Sequence, residues 1–265
     1  MSAYGKLFEA GLAGRRLDDV EVIDAHGHYG SCFQFNYPHY GVDDILSEMD
    51  RVGVDKFIMS GMRAVVGDMH LGNRDMLELC ERHPDRFMMH CVANPHYVAE
   101  FDELFSAYLD HPLVKGIKIH AEGHGYPLGG EGYKRVWEVS AERGTPVLVH
   151  LLPDRDTDAF VKIADEYAGA RLLFAHHGGP ENLDKHLPLI KDKPNIYVDT
   201  CCSALPVGTM ERLVEELGDA RILFGSDMPY LNLGGQIGKV LLAKLSDEVK
   251  KKILAGNARK LFRLD

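Results

Sequence analysis

Two histidines one residue apart, His26 and His28, close an apolar run that begins at Val20 and reads Val-Glu-Val-Ile-Asp-Ala-His-Gly-His. In a strand, positions i and i+2 share a face, so both imidazoles can grip one cation. Three further ligand or proton-handling residues close apolar runs in the same way. His150 follows Pro146-Val-Leu-Val, His176 follows Arg171-Leu-Leu-Phe-Ala, and Asp227 follows Arg221-Ile-Leu-Phe-Gly-Ser. His26, His28, His150 and Asp227 would together supply three nitrogens and one carboxylate oxygen. Such a set suits zinc, the expected ion, and also accepts manganese, iron or cobalt. One divalent metal ion is therefore expected, with an open position where water, its pKa lowered from about 15.7 toward ~7, becomes a usable nucleophile. Fourteen histidines are present, and most need no role beyond packing or solvation. His90, inside an apolar run, reads as a hydrogen-bonded core residue.

Residues so far apart in the chain meet only if strand ends converge. Eight short apolar runs are expected as strands, at 20–24, 56–59, 87–92, 114–120, 146–150, 171–175, 196–199 and 222–225. Helical patterns alternate with them at 43–52, 74–82, 97–109, 133–143, 157–167, 181–190, 209–217 and 247–262. Gly53, Gly144 and Gly218 stand where helices stop, and Ser246 stands where the last one starts. Eight βα units predict a single-domain (β/α)8 TIM barrel over residues 1–265, close to the roughly 250 residues typical of that fold. An open doubly wound sheet is disfavoured: a His-x-His, not a glycine-rich dinucleotide loop, follows the first strand. The glycine-rich stretch 121–132 is expected to be a loop at the barrel mouth, either a lid or a plain connection.

The chain resembles the amidohydrolase superfamily, and within it the amidohydrolase 2 branch that includes aminocarboxymuconate-semialdehyde and resorcylate decarboxylases. The resemblance is carried by Ile23-Asp-Ala-His26-Gly-His28, Gly116-Ile-Lys118-Ile-His120, Pro146-Val-Leu-Val-His150, Phe174-Ala-His176-His-Gly178, Ile196-Tyr-Val-Asp199-Thr200, Leu223-Phe-Gly-Ser-Asp227-Met-Pro229 and Gly256-Asn-Ala-Arg-Lys-Leu-Phe262, which span nearly the whole length. It implies a mononuclear site with His26, His28, His150 and Asp227 as ligands and His176 as an unligated catalytic histidine. It also raises a binuclear alternative in which Lys118 is carboxylated, though the single-metal members resemble this chain more closely. Those decarboxylases tend to be longer, so the compact chain favours a hydrolase of a small polar, anionic substrate. Asp227 would then act as base on metal-activated water, with His176 as oxyanion stabiliser or acid. The alternative is a nonoxidative decarboxylase using the same groups, and a third reading is a catalytically silent metabolite-binding barrel. His120 and Lys118, two apart on the fourth strand, and Arg63, just past the second, are the expected substrate-binding residues.

The whole-chain composition narrows the partners. The 265 residues are 45% hydrophobic and 26% charged, ordinary for a globular protein. The net charge of −10 is spread along the chain without a basic block, which argues against nucleic acid. No apolar stretch approaches the about 20 residues of a membrane span, and Lys6, Glu9, Arg15 and Arg16 interrupt any secretory leader. Cytoplasmic residence follows as the expectation. The five cysteines, odd in number and without a CxxC pair, are expected to be reduced, with Cys201 and Cys202 placed to line a pocket. The expected partner is a small-molecule substrate, and a homodimer is the default assembly.

Overall fold

The computed structural model describes residues 4–32, 40–151, 153–178 and 183–264. All eight expected strands form, seven of them on the apolar runs and the first shifted past its run to carry His26 and His28: β1 (Ile23–Tyr29), β2 (Lys56–Gly61), β3 (Phe87–Val92), β4 (Val114–His120), β5 (Pro146–His150), β6 (Arg171–Phe174), β7 (Ile196–Asp199) and β8 (Ile222–Leu223). They pair in sequence order and all in parallel. The ring closes because Ala25 N donates to Phe224 O (2.9 Å), Asp227 N to His26 O (2.8 Å) and His28 N to Met228 O (2.8 Å). The result is a (β/α)8 TIM barrel. β8 is shorter than the expected 222–225 because its backbone leaves β7 after Leu223 and bonds to β1 instead.

Among the described residues, twelve α-helices surround the strands: α1 (Lys6–Leu12), α2 (Val42–Val52), α3 (Met62–Val66), α4 (Met69–Arg82), α5 (Phe101–Tyr108), α6 (Lys134–Arg143), α7 (Pro153–Glu166), α8 (Leu183–Ile190), α9 (Thr209–Leu217), α10 (Leu233–Leu241), α11 (Asp247–Lys251) and α12 (Asn257–Phe262). Sequence periodicity missed three of these, α1, α3 and α10, which are short or glycine-interrupted. Residues 181 and 182, where the sixth helical pattern was expected to begin, lie outside the described residues, as does His39. The last pattern is not one continuous helix. A single π-helical turn (Lys252–Gly256) separates α11 from α12. It aims Ile253 O at Phe224 N (2.8 Å), and Asn257 Nδ2 bonds Asp219 O and Ile222 O (2.7 Å each). The π-helical turn thereby fastens the end of β8.

Strand alternation sorts the side chains into two layers. Phe57, Met59, Ile117, Ile119, Val147, Val149, Leu172 and Phe174 pack into the large core beneath the helices. Ile23, Ile58, Met88, Leu148, Leu173 and Leu223 form a smaller inner core with Leu261 and Phe262 of α12, which plugs the N-terminal end of the barrel. Polar residues are thereby left to the other end, the C-terminal mouth, where barrel active sites are built. Among the described residues, no helix is long and apolar enough to cross a membrane.

Candidate active site

The pair on β1 faces inward because the strand is irregular. Its register against β2 shifts between Asp24 and Gly27, and such a bulge re-aims the residues that follow. Gly27 now points outward against Phe57, whose ring lies 1.9 Å from where a Cβ would sit, so only glycine fits. His26 and His28 turn into the barrel. A second close approach, at Gly225, brings His26 and Asp199 side by side: a Cβ there would lie 3.0 Å and 3.1 Å from theirs.

His26 Nδ1 lies 2.7 Å from Asp199 Oδ2, a carboxylate that fixes the ring and leaves Nε2 bare. That Nε2 lies 3.5 Å from Asp227 Oδ1 and 3.2 Å from Lys118 Nζ. His28 Nε2 is 3.0 Å from the same Asp227 oxygen. The donor atoms of His26, His28 and Asp227 all lie within 4.8 Å of one another. His150 stands outside this trio. Its ring stacks on His120 (centroids 3.8 Å apart, 12° between planes), and its Nδ1 faces His176 Nε2 at 3.2 Å. Glu122 Oε2 lies 4.0 Å from its Nε2.

His176 and Asp227 both adopt left-handed backbone, with φ of 61° and 59°, which costs a non-glycine residue of order 1 kcal/mol or more. Both are held there by hydrogen bonds to the site itself: His176 N donates to Asp199 Oδ1 (2.8 Å) and Asp227 N to His26 O. Cys201 lies behind them, its sulfur 3.1 Å from Asp199 Oδ1, 3.2 Å from His176 Nδ1 and 3.3 Å from His26 Nδ1.

Burial dominates the electrostatics. It drives His26 and His150 well below the usual imidazole range, helped by Lys118 in the first case and His120 in the second. Burial likewise takes His120 down to about 2 and Lys118 down to about 8, with Asp227 and Asp199 opposing the latter. Burial alone would raise Asp227, but the hydrogen bond from His28 and the nearby imidazoles outweigh it and hold the carboxyl low. His26 is thus neutral with a bare Nε2 facing an ionised carboxylate, and the His28 Nε2 hydrogen shared with that carboxylate is the one a cation would displace. This donor set fits a divalent cation, and His26, His28 and Asp227 would hold it. Lys118 Nζ presses on the same space.

The sequence also placed Arg63 in the site. It begins the turn after β2, on α3, more than half exposed, and forms an ion pair with Asp75 of α4 at 2.7 Å. Lys118 and His120 do point inward, and His120 Nδ1 accepts from Gly123 N (2.9 Å), leaving Nε2–H as a donor toward the mouth. The glycine-rich stretch is tied down: His124 Nδ1 and Tyr133 OH are 2.6 Å apart, and His96 Nε2 lies 2.7 Å from His124 O. Sequence reasoning missed Asp199 and Asp24 as site residues. Both end or occupy strands exactly as the recognised ligands do, and that position was the available signal. Asp24, buried and pushed up to about 8 by that burial, accepts from His26 N (3.1 Å) and Ser226 N (3.0 Å), and so joins β1 to the segment after β8.

Eight parallel strands carrying an inward His/Asp donor cluster at their C-terminal ends define a TIM barrel with a candidate metal centre at its mouth. The chain belongs to the amidohydrolase family, whose model matches residues 23–264. No curated protein matches the sequence. Among solved structures, it is similar to 2,6-dihydroxybenzoate decarboxylase from Rhizobium, with 17% identity, 94% of this chain and 100% of that one covered, and a TM-score of 0.72. It is also similar to dihydroxybenzoic acid decarboxylase from Polaromonas sp. JS666, with bound manganese and the inhibitor 2-nitroresorcinol (18% identity, 94% and 98% covered, TM-score 0.67). A third is 4-oxalomesaconate hydratase from Rhodopseudomonas palustris (17% identity, 91% and 95% covered, TM-score 0.68). At these identities the likeness establishes the barrel.

Proposed function

We propose that this protein is a divalent-metal-dependent, nonoxidative decarboxylase of a small aromatic or enoic carboxylic acid. The observation that carries the reading is Lys118, whose Nζ lies 3.2 Å from His26 Nε2 beside the His26, His28 and Asp227 donors, with the Nε2–H of His120 two residues further along the same strand. A carboxylate substrate needs that pairing of a cation site with donors, and a neutral amide or ester does not. A bound divalent ion would supply Lewis-acid stabilisation of the negative charge that develops as the carbon–carbon bond breaks. Lys118 and His120 hold and orient the acid, and the apolar inner core below excludes water. His176 carries the proton: its Nε2 takes one up and delivers it to the carbon that loses carbon dioxide.

Hydrolysis was the first expectation from sequence, and it would use Asp227 as base with the same neighbours. The three similar structures named above are two decarboxylases and a hydratase, which supports the carboxy-lyase reading over it. Zinc was the expected ion; manganese has equal claim, because one of those decarboxylases holds it.

The test is a panel of hydroxybenzoic and unsaturated dicarboxylic acids incubated with protein loaded with manganese or zinc, in deuterated water and separately in 18O-labelled water. Carbon dioxide release with one solvent deuteron on the vacated carbon is the expected result. Uptake of 18O into the organic product without carbon dioxide would replace this reading with hydrolysis or hydration.

A further inference from the structure

We infer that Cys201 is a positioning residue that sets the ring tautomer of His176, with Asp199 as the shared anchor. Asp199 Oδ2 accepts from His26 Nδ1, and its Oδ1 accepts from the backbone N–H of His176. The Cys201 thiol also reaches Oδ1, at 3.1 Å. Asp199 Oδ1, which already accepts from a backbone N–H, is the oxygen acceptor within reach of that S–H, so the thiol hydrogen goes there. The sulfur then has only lone pairs to offer His176 Nδ1, 3.2 Å away. A contact between two bare acceptors would be repulsive, so His176 must carry its own hydrogen on Nδ1.

That assignment propagates. With Nδ1 protonated, His176 Nε2 is bare and faces His150 Nδ1 at 3.2 Å, which must donate to it. His150 Nε2 is then bare as well. One buried carboxylate therefore fixes three rings: His26 directly, His176 through Cys201, and His150 through His176. Each ends with Nε2 as its lone-pair nitrogen. The same four residues, His26, His176, Asp199 and Cys201, have donor atoms close enough together to suggest a second metal cage. Hydrogen bonds account for those contacts: His26 Nδ1 and the thiol both point to Asp199, and His176 Nδ1 faces the sulfur. Cys201 is fully buried, so its use is internal.

The kinetic consequence rests on His176 being the proton carrier; the tautomer itself does not. The experiment is long-range 1H–15N correlation of the histidine rings in the full chain, before and after zinc loading, with the His176 signals assigned by their loss in His176→Gln. Wild type and Cys201→Ser should show His176 protonated at Nδ1. Cys201→Ala should show a mixture or the Nε2-protonated form. Finding His176 protonated at Nε2 in the wild type overturns the proposal, even if the alanine variant does not fold; so does an alanine variant identical to wild type. Cobalt-loaded protein is expected to lack a sulfur-to-metal charge-transfer band. A band that vanishes in Cys201→Ser would make the cysteine a ligand and would equally overturn it. If the panel acids are turned over, Cys201→Ala should lower kcat about tenfold, the lower end for groups that orient a ligand, with KM little changed and rescue by serine. If the tautomer result holds and no acid reacts, the decarboxylase reading fails alone.

Discussion

The two sides of the barrel mouth are built differently. On the β1, β7 and β8 side, His26, Asp199 and Asp227 are tied to one another and to backbone at 2.7–2.8 Å, and His26 and Asp199 are fully buried. On the β4 and β5 side, His120 and His150 lie stacked and half-buried beside the 121–132 loop. The first side has little freedom, as a ligand set requires; the second has a ring face and a free N–H to offer a substrate. A barrel can separate the two tasks because adjacent strand ends differ in what holds their side chains.

The largest effects should come from the tied side. Asp227→Asn should lower both metal affinity and turnover by more than about a hundredfold, since groups that merely orient ligands cost 10–100-fold, while thermal unfolding stays cooperative. Retained stoichiometric metal, read by elemental analysis, would remove Asp227 from the ligand set. Asp199→Ala should weaken metal binding by about 10–100-fold, measured by competition with a chelating dye. Equal losses for Asp199→Ala and His120→Phe would erase the contrast between the two sides.

Acid should unfold both sides. Burial takes His90, beneath the tied side, from 6.5 to about 3, and takes His124, in the loop beside the other, from 6.5 to about 3. Both folded values are depressed, so the unfolded chain binds more protons below pH 6.5. The stability they contribute is complete above pH 6.5 and is lost progressively as pH falls toward 3. The unfolding temperature should therefore decline steadily from pH 7 to pH 4, and His90→Gln, which keeps a donor for Ala25 O, should flatten that decline. A wild-type profile flat over this range would contradict the burial of both rings in neutral form.

On the stacked side, His120→Phe keeps a ring against His150 and removes the N–H. It should raise KM for the acid several-fold, by the about 1 kcal/mol net contribution of one hydrogen bond, with metal content unchanged. The smallest effect belongs to Arg63→Ala, which breaks an exposed ion pair with Asp75 and should change KM less than about twofold. A large rise in KM would restore Arg63 to the anion-binding role that its place after β2 suggested.

Local sequence determined the barrel and its main polar positions. Alternating apolar runs closed by His26, His28, His120, His150, His176 and Asp227 reflect period-2 geometry within single strands, and each is readable in a window of a few residues. The tertiary structure decided how those groups divide the work. The bulge that turns His26 and His28 inward depends on Phe57 of the neighbouring strand. The bond that fixes His26 comes from Asp199, 173 residues away. His150, expected among the ligands, stacks on His120 with Nδ1 toward His176 Nε2, an arrangement set by the register of β4 on β5. Arg63 faces Asp75 because α3 and α4 pack together after β2. Spacing along a chain fixes which face of a strand a side chain occupies. Its hydrogen-bond partner is chosen from whatever ring closure brings across the barrel.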